Sequence, residues 1–145
     1  MATDEIKRII IHHSLTKDSG AVSWEAIRYY HINNLGFRDI GYHAGVELVK
    51  SGQHFYNEIL FGRPWNIAGA HTAGQNEHSL GICFIGNYDT IKPSDQMLIV
   101  GGQLISMWLK LFNIKKSEIY GHRDFAEKSC PGNLFDIGEL KEWMK

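Results

Sequence analysis

Between positions 120 and 132 the chain reads Tyr-Gly-His-Arg-Asp-Phe-Ala-Glu-Lys-Ser-Cys-Pro-Gly. An imidazole (His122), an ammonium (Lys128) and a thiol (Cys130) fall within nine residues of backbone bounded by Gly and Pro. A neutral imidazole and a thiolate both suit zinc. Pro131 bars helix at the cysteine and favours extended backbone there. Two ligands do not make a catalytic site, so a third has to come from elsewhere in the chain. The stretch taken alone has a plainer reading, with His122 capping a strand and Cys130 acting as a small buried hydrophobe. One His and one Cys at this spacing form no zinc-finger pattern.

His12 and His13 offer the third ligand. They end a β-branched run, Ile-Ile-Ile-His-His, that reads as a buried strand over residues 7–14. Successive side chains of a strand point to opposite faces, so only one of the pair can face a given site. Two His and one Cys, with a water in the fourth position, match the ligand count of a catalytic zinc site. Such a site suits amide hydrolysis, because zinc polarises the carbonyl and lowers the pKa of its water toward roughly 7. A second cation aimed at the developing oxyanion would help. Lys128 is placed for that role, and its plainer reading is a solvated surface lysine.

The elements that must position these groups alternate. Residues 16–20 read as loop, and Ser23 caps a helix from Trp24 to about Asn33, with Glu25 in the first turn. Trp24, Ile27, Tyr30 and His31 are expected on one face of it. A second strand over residues 41–50, a turn at Ser51-Gly52 and a short returning strand over 54–56 read as a hairpin. Residues 61–77 read as a long loop carrying Trp65, His71 and Asn76. A third, apolar strand is expected over 79–85 and a long helix over 95–112, with Met97, Leu98, Leu104, Ile105, Trp108, Leu109 and Phe112 as its apolar stripe. A short strand over 119–121 delivers His122, and a capping-box-like Asp136-Ile-Gly-Glu139 opens a final helix to Met144. The expectation is an α/β fold: a single domain over residues 1–145, with a mixed central β-sheet flanked by α-helices and the site at strand ends.

Composition sets the outer bounds. The chain has 145 residues, 43% hydrophobic and 21% charged, which fits an ordinary globule of one domain. A formal net charge of −1 gives no global field for nucleic acid or an anionic membrane. The eight histidines, together with the aromatics, hint at a polar cleft. Of the two cysteines, Cys83 lies in an apolar run and reads as core. One disulfide between Cys83 and Cys130 stays open, but two cysteines are no framework. No run approaches the ~20 apolar residues of a membrane span, and nothing near Met1 reads as a secretory signal. The expectation is synthesis in the cytoplasm.

An ordered set of short motifs carries a resemblance. Ile-Ile-His-His-Ser14, Gly-Tyr-His43, Gly-Ala-His71 with Asn76, Ser-Leu-Gly-Ile-Cys-Phe-Ile-Gly86, and Gly-His-Arg-Asp124 followed by Lys-Ser-Cys-Pro131 occur in that order. Together they resemble the zinc-dependent N-acetylmuramoyl-L-alanine amidases, the family of phage-lysozyme-type amidases and peptidoglycan-recognition proteins. The resemblance covers nearly the whole chain and implies zinc in a surface cleft. It further implies cleavage of the amide between the lactyl group of N-acetylmuramic acid and L-alanine of the stem peptide. Carried over by position, it implies His12, His122 and Cys130 as ligands of one Zn2+, and Tyr42 and Lys128 as residues that assist catalysis. On the long loop, Trp65, His71 and Asn76 are expected to line the substrate cleft, Trp65 with an apolar face and the other two as hydrogen-bonding groups, and His43 is expected to bind substrate with them. Members lacking the cysteine often bind peptidoglycan without cleaving it. His13 is expected to face away from the metal as a packing or outer-sphere residue. The expected partner is peptidoglycan or a muropeptide, not nucleic acid or membrane. A monomeric, endolysin-like enzyme is implied, acting on the bacterial wall after release. Inhibition of a phage RNA polymerase, a role of one member type, has no feature in this sequence to support it.

Overall fold

The computed structural model describes residues 1–16 and 23–144. From residue 17 on, the loop expected over 16–20 lies outside the described residues. Among the described residues, five strands form one sheet: β1 (Arg8–His13), β2 (Ala44–Ser51), β3 (His54–Phe61), β4 (Ser79–Phe84) and β5 (Ile119–Gly121). The order across the sheet is β3-β2-β4-β1-β5. β1 runs parallel to β4 and β5, β2 runs parallel to β4, and only the β2–β3 hairpin is antiparallel. The sheet is therefore mixed, as the alternation of elements predicts.

Strand alternation divides the chain between two faces. Ile9 and Ile11 of β1, Ala44 and Val46 of β2, and Leu80, Ile82 and Phe84 of β4 join one core. That core is covered by α2 (Asp95–Leu111) and α3 (Ile137–Glu142). Ser94 caps α2 by accepting from the Met97 N–H, and Met97, Leu98, Leu104, Ile105 and Trp108 form its buried stripe. Asp136 caps α3 by accepting from the N–H groups of Gly138 and Glu139. The opposite face carries a smaller cluster of Trp24, Ile27, Ile40, Cys83 and Ile85, with Tyr42 and Leu60 packed against it.

The structure departs from the sequence reading at β2, β3 and the first helix. β2 begins at Ala44, because Gly41 and His43 bond to the 62–78 segment and to Gly81 instead of extending the hairpin. β3 runs to Phe61, paired residue for residue with β2 from Ser51↔His54 to Ala44↔Phe61, so the loop starts at Gly62. α1 (Trp24–Asn33) has the expected bounds and its Ser23 cap, but buries only Trp24 and Ile27 while Tyr30 is 52% exposed. Six residues at 3.6 per turn place Tyr30 about a third of a turn off the Trp24 face.

Candidate metal centre

His12 is the last residue of β1 on the sheet face opposite the main core, buried there, and it sits in register beside Cys83 of β4. Alternation sends His12 to the face that carries Cys83 and Tyr42, and His13 to the other. His13 accepts a hydrogen bond at Nδ1 from the Tyr88 N–H at 3.2 Å, which ties it to the loop after β4.

β5 leads directly into a single 3-10 turn, His122–Asp124. The Asp124 carboxylate accepts from the Gly121 N–H at 2.8 Å and fixes the entry to that turn. The loop then returns: the Arg123 N–H donates to the Cys130 carbonyl at 2.8 Å, which brings His122 and Cys130 together. The Arg123 guanidinium donates to the carbonyls of Gly132 and Phe135. Asp89 accepts from the Ser129 hydroxyl and the Asn133 N–H. The Cys130–Pro131 peptide is cis. Arg123 and Asp89 hold this loop in place, and sequence reasoning missed both. Arg123 lies inside a motif already singled out, whereas Asp89 carries no local signal.

The result is a cluster of three groups that could hold a metal ion. One nitrogen of His12, one of His122 and Sγ of Cys130 all lie within 4.8 Å of one another. The His12 and His122 ring centroids are 4.7 Å apart. His12 Nδ1 is 3.7 Å from Cys130 Sγ. Tetrahedral zinc with the usual nitrogen and sulfur bond lengths needs about 3.5 Å between such atoms, so the donor set fits that ion in type and spacing. Both cysteines are free thiols.

The electrostatics suit a metal more than bare catalysis. Burial pushes the His12 pKa well below its ordinary value, helped by His71, His122, His13 and Lys128. Burial and then Lys128 lower that of His122. Both rings are thus neutral at pH 7, the form that binds a metal. Burial pushes the Cys130 thiol up to about 11, against the pull of the His13 N–H and of Lys128. Lys128 itself is exposed, yet its charge acts on all three ligands.

Tyr42 lies beside the cluster, with its ring centroid 5.2 Å from that of His12. Burial raises its pKa well above the ordinary value, with Cys83 and Cys130 adding to the effect. Cys83 is core, as its sequence context suggests, and Tyr42 packs against its cluster. His71 meets His12 edge-on, with centroids 5.0 Å apart. Asn76 turns its Oδ1 to the N–H groups of His71 and Thr72, at 2.9 Å each, and so shapes the loop. His43 is 2% exposed and spans two segments, its Nε2 donating to Ile67 O and its Nδ1 accepting from the Gly81 N–H. Trp65 is not among these groups. Its ring packs against Phe112, just past α2, with centroids 5.6 Å apart, because the loop tip runs to the end of that helix.

Residues 2–133 match the family described as N-acetylmuramoyl-L-alanine amidase. The chain belongs to that amidase family. It is 33% identical over 141 residues to the peptidoglycan-recognition protein SC2 of Drosophila melanogaster, covering 92% of this chain and 72% of that protein. Among solved structures it superposes on the endolysin N-acetylmuramoyl-L-alanine amidase LysCS of Clostridium intestinale with a TM-score of 0.77 at 27% identity, covering 97% and 84% of the two chains. It also superposes on a mutant of Drosophila PGRP-LB in complex with tracheal cytotoxin, with a TM-score of 0.73 at 28% identity and 95% and 81% coverage.

One stability prediction arises from the histidines of this amidase-family site. Burial lowers His43 from about 6.5 to about 4, the Ile67 carbonyl opposing and Arg63 adding to the drop, and lowers His71 to about 3. Between those values and 6.5 the unfolded chain binds protons that the folded chain does not, so stability rises with pH there. The contribution is complete above about pH 6.5 and is lost as pH falls toward 4 and below. For His43 alone it is on the order of 3 kcal/mol. The metal-free protein should show a level denaturation midpoint from pH 7 to 8 and a steep fall from pH 6 to 4. A midpoint unchanged down to pH 4 would contradict this.

Proposed function

We propose that the chain is a zinc-dependent N-acetylmuramoyl-L-alanine amidase. It would hydrolyse the amide between the lactyl group of N-acetylmuramic acid and L-alanine of the peptidoglycan stem peptide. The observation that carries this reading is the donor set: two neutral imidazoles and one thiol within 4.8 Å, with a cation acting on all three. Three protein ligands, not four, are the count of a catalytic zinc site. A bound zinc would supply Lewis-acid polarisation of the carbonyl and a water acidic enough to attack at neutral pH.

The chain's own residues do the rest. His12 and His122 would hold the ion from the carboxyl ends of β1 and β5, and Cys130 from the returning loop that Arg123 and Asp89 anchor. Lys128 places a positive charge beside the ligands, where negative charge develops on the carbonyl oxygen. Tyr42 stays protonated at pH 7, so it acts as a donor to the carbonyl oxygen or the departing amine and not as a base. LysCS, an endolysin amidase, and the cytotoxin-bound recognition protein both support peptidoglycan or its fragments as the substrate class. The proposed enzyme works as a monomer on the bacterial wall after release from the cell that makes it.

Recognition without cleavage is the second reading, favoured by the recognition-protein names of the insect relatives. Zinc-loaded protein on purified walls separates the two. Hydrolysis should lower turbidity and expose new amino groups on alanine, with no new reducing ends. Wall binding with no new amino groups would sustain recognition alone, and new reducing ends would overturn the bond assignment. Cys130→Ser should retain less than one zinc per chain and lose turnover in parallel.

A further inference from the structure

His12 turns Nδ1 toward Cys130, and its other ring nitrogen points the opposite way. His12 Nε2 lies 3.0 Å from His71 Nδ1 and 3.3 Å from the Thr72 hydroxyl oxygen. His71 Nδ1 and Thr72 Oγ1 are themselves 3.0 Å apart, so three polar atoms close a triangle behind the metal ligand. A histidine that gives Nδ1 to a metal must carry its proton on Nε2, and that N–H needs an acceptor. We propose that His71, together with Thr72, is the positioning pair for His12: it accepts the Nε2–H of His12 and so sets both the tautomer and the ring angle of the ligand. This inference rests on the zinc reading of the site.

The pair is built to stay in place. The His71 ring lies flat between two glycines, and a Cβ added at Gly81 would come within 2.6 Å of it and one at Gly69 within 2.4 Å. Only glycine at these two positions leaves room for the imidazole. The N–H groups of His71 and Thr72 both donate to Asn76 Oδ1 at 2.9 Å, which locks the backbone on either side of the acceptor. Thr72 is 2% exposed. When His71 Nδ1 accepts, its own proton sits on Nε2, an atom that is buried and has no hydrogen-bond partner among the described residues. An unpartnered buried donor costs stability. Its presence is consistent with selection of this ring for what Nδ1 does and not for fold stability. His71 is thereby a residue that acts through His12, not one that touches the substrate.

Zinc affinity, measured by competition with a chromophoric chelator, tests this on the whole chain. His71→Leu removes the acceptor, and His71→Asn puts an amide oxygen near the place of Nδ1. Thr72→Val removes only the hydroxyl. Loss of an outer-sphere partner of this kind weakens metal binding by about 10–100-fold, and that is the expected result for His71→Leu. His71→Asn should recover most of it, and Thr72→Val should fall between. Unchanged zinc affinity in His71→Leu with a raised KM would overturn the inference in favour of a substrate contact. Equal loss in His71→Leu and His71→Asn, tracking a loss of metal-free stability, would overturn it in favour of plain packing. Failure of the parent chain to take up zinc would remove both this inference and the function it rests on. Parental zinc binding that Cys130→Ser abolishes and His71→Leu leaves untouched would remove the inference alone.

Discussion

Stripping the metal with a chelator is expected to abolish wall hydrolysis while leaving the far-UV circular dichroism spectrum close to that of the loaded protein. The first half follows from the donor set, since without the ion the three ligands supply no Lewis acid to polarise the carbonyl and acidify the water. The second half follows from where the stability resides. Small zinc-binding domains unfold without metal because the ion substitutes for a core, but this chain of 145 residues buries a continuous core from Ile6 to Met144 under α2 and α3. The ligand loop also has anchors independent of the ion, in the Arg123 and Asp89 hydrogen bonds. Chelation should therefore lower the denaturation temperature without unfolding the chain at 25 °C. Metal present at a thousandfold its Kd adds about 4 kcal/mol by mass action, worth roughly 10 °C for a chain of this size. The Cys130 thiol, held near 11, must lose its proton to bind, whereas His12 and His122 are already neutral. Apparent affinity should thus rise about tenfold per pH unit between 7 and 9. A random-coil spectrum after chelation, or an affinity indifferent to pH, would contradict this account.

The parts of this arrangement legible in the sequence are those set by local periodicity. The split between His12 and His13 needed only the two-residue repeat of a strand. The α2 stripe needed only the helical repeat, and Asp136 announced the last helix by its cap. What stayed hidden depends on the path of the chain through space. Trp65 reads as a cleft aromatic because it sits in a long loop with other polar residues, but nothing local says that the loop tip reaches Phe112. The extension of β3 to Phe61 is set by its partner β2 and not by its own composition. Thr72 has no motif of its own, and only the fold puts its hydroxyl behind His12. His71 and Asn76 could be read as polar residues of a long loop, but neither the contact of His71 with His12 nor the hydrogen bonds of Asn76 to the His71 and Thr72 N–H groups could be read from their spacing.

Lys128→Ala is expected to keep one zinc per chain and wall binding while losing about 10² in turnover. Removing a single oxyanion donor typically costs about 10²–10³. The lower end applies because Lys128 is exposed and solvent screens its charge. That same exposure yields a sharper test. Parental turnover should fall as salt is raised from low to physiological ionic strength, where the screening length shortens to about 8 Å. The Lys128→Ala chain should show a flat salt dependence. Lys128→Arg should restore part of the rate, because charge is required and a forked geometry is not. Tyr42→Phe tests the neighbouring role differently: it removes a donor that carries no charge, so its loss should persist at every ionic strength. If both substitutions spare turnover in fully loaded protein, the electrostatic and proton-donor roles assigned to these residues are wrong. The ligand cluster would then act without them. If Lys128→Ala instead loses zinc, the lysine acts by lowering the Cys130 thiol toward its metal-binding form and not on the reacting carbonyl. Turnover normalised to bound zinc separates those two roles of a single charge.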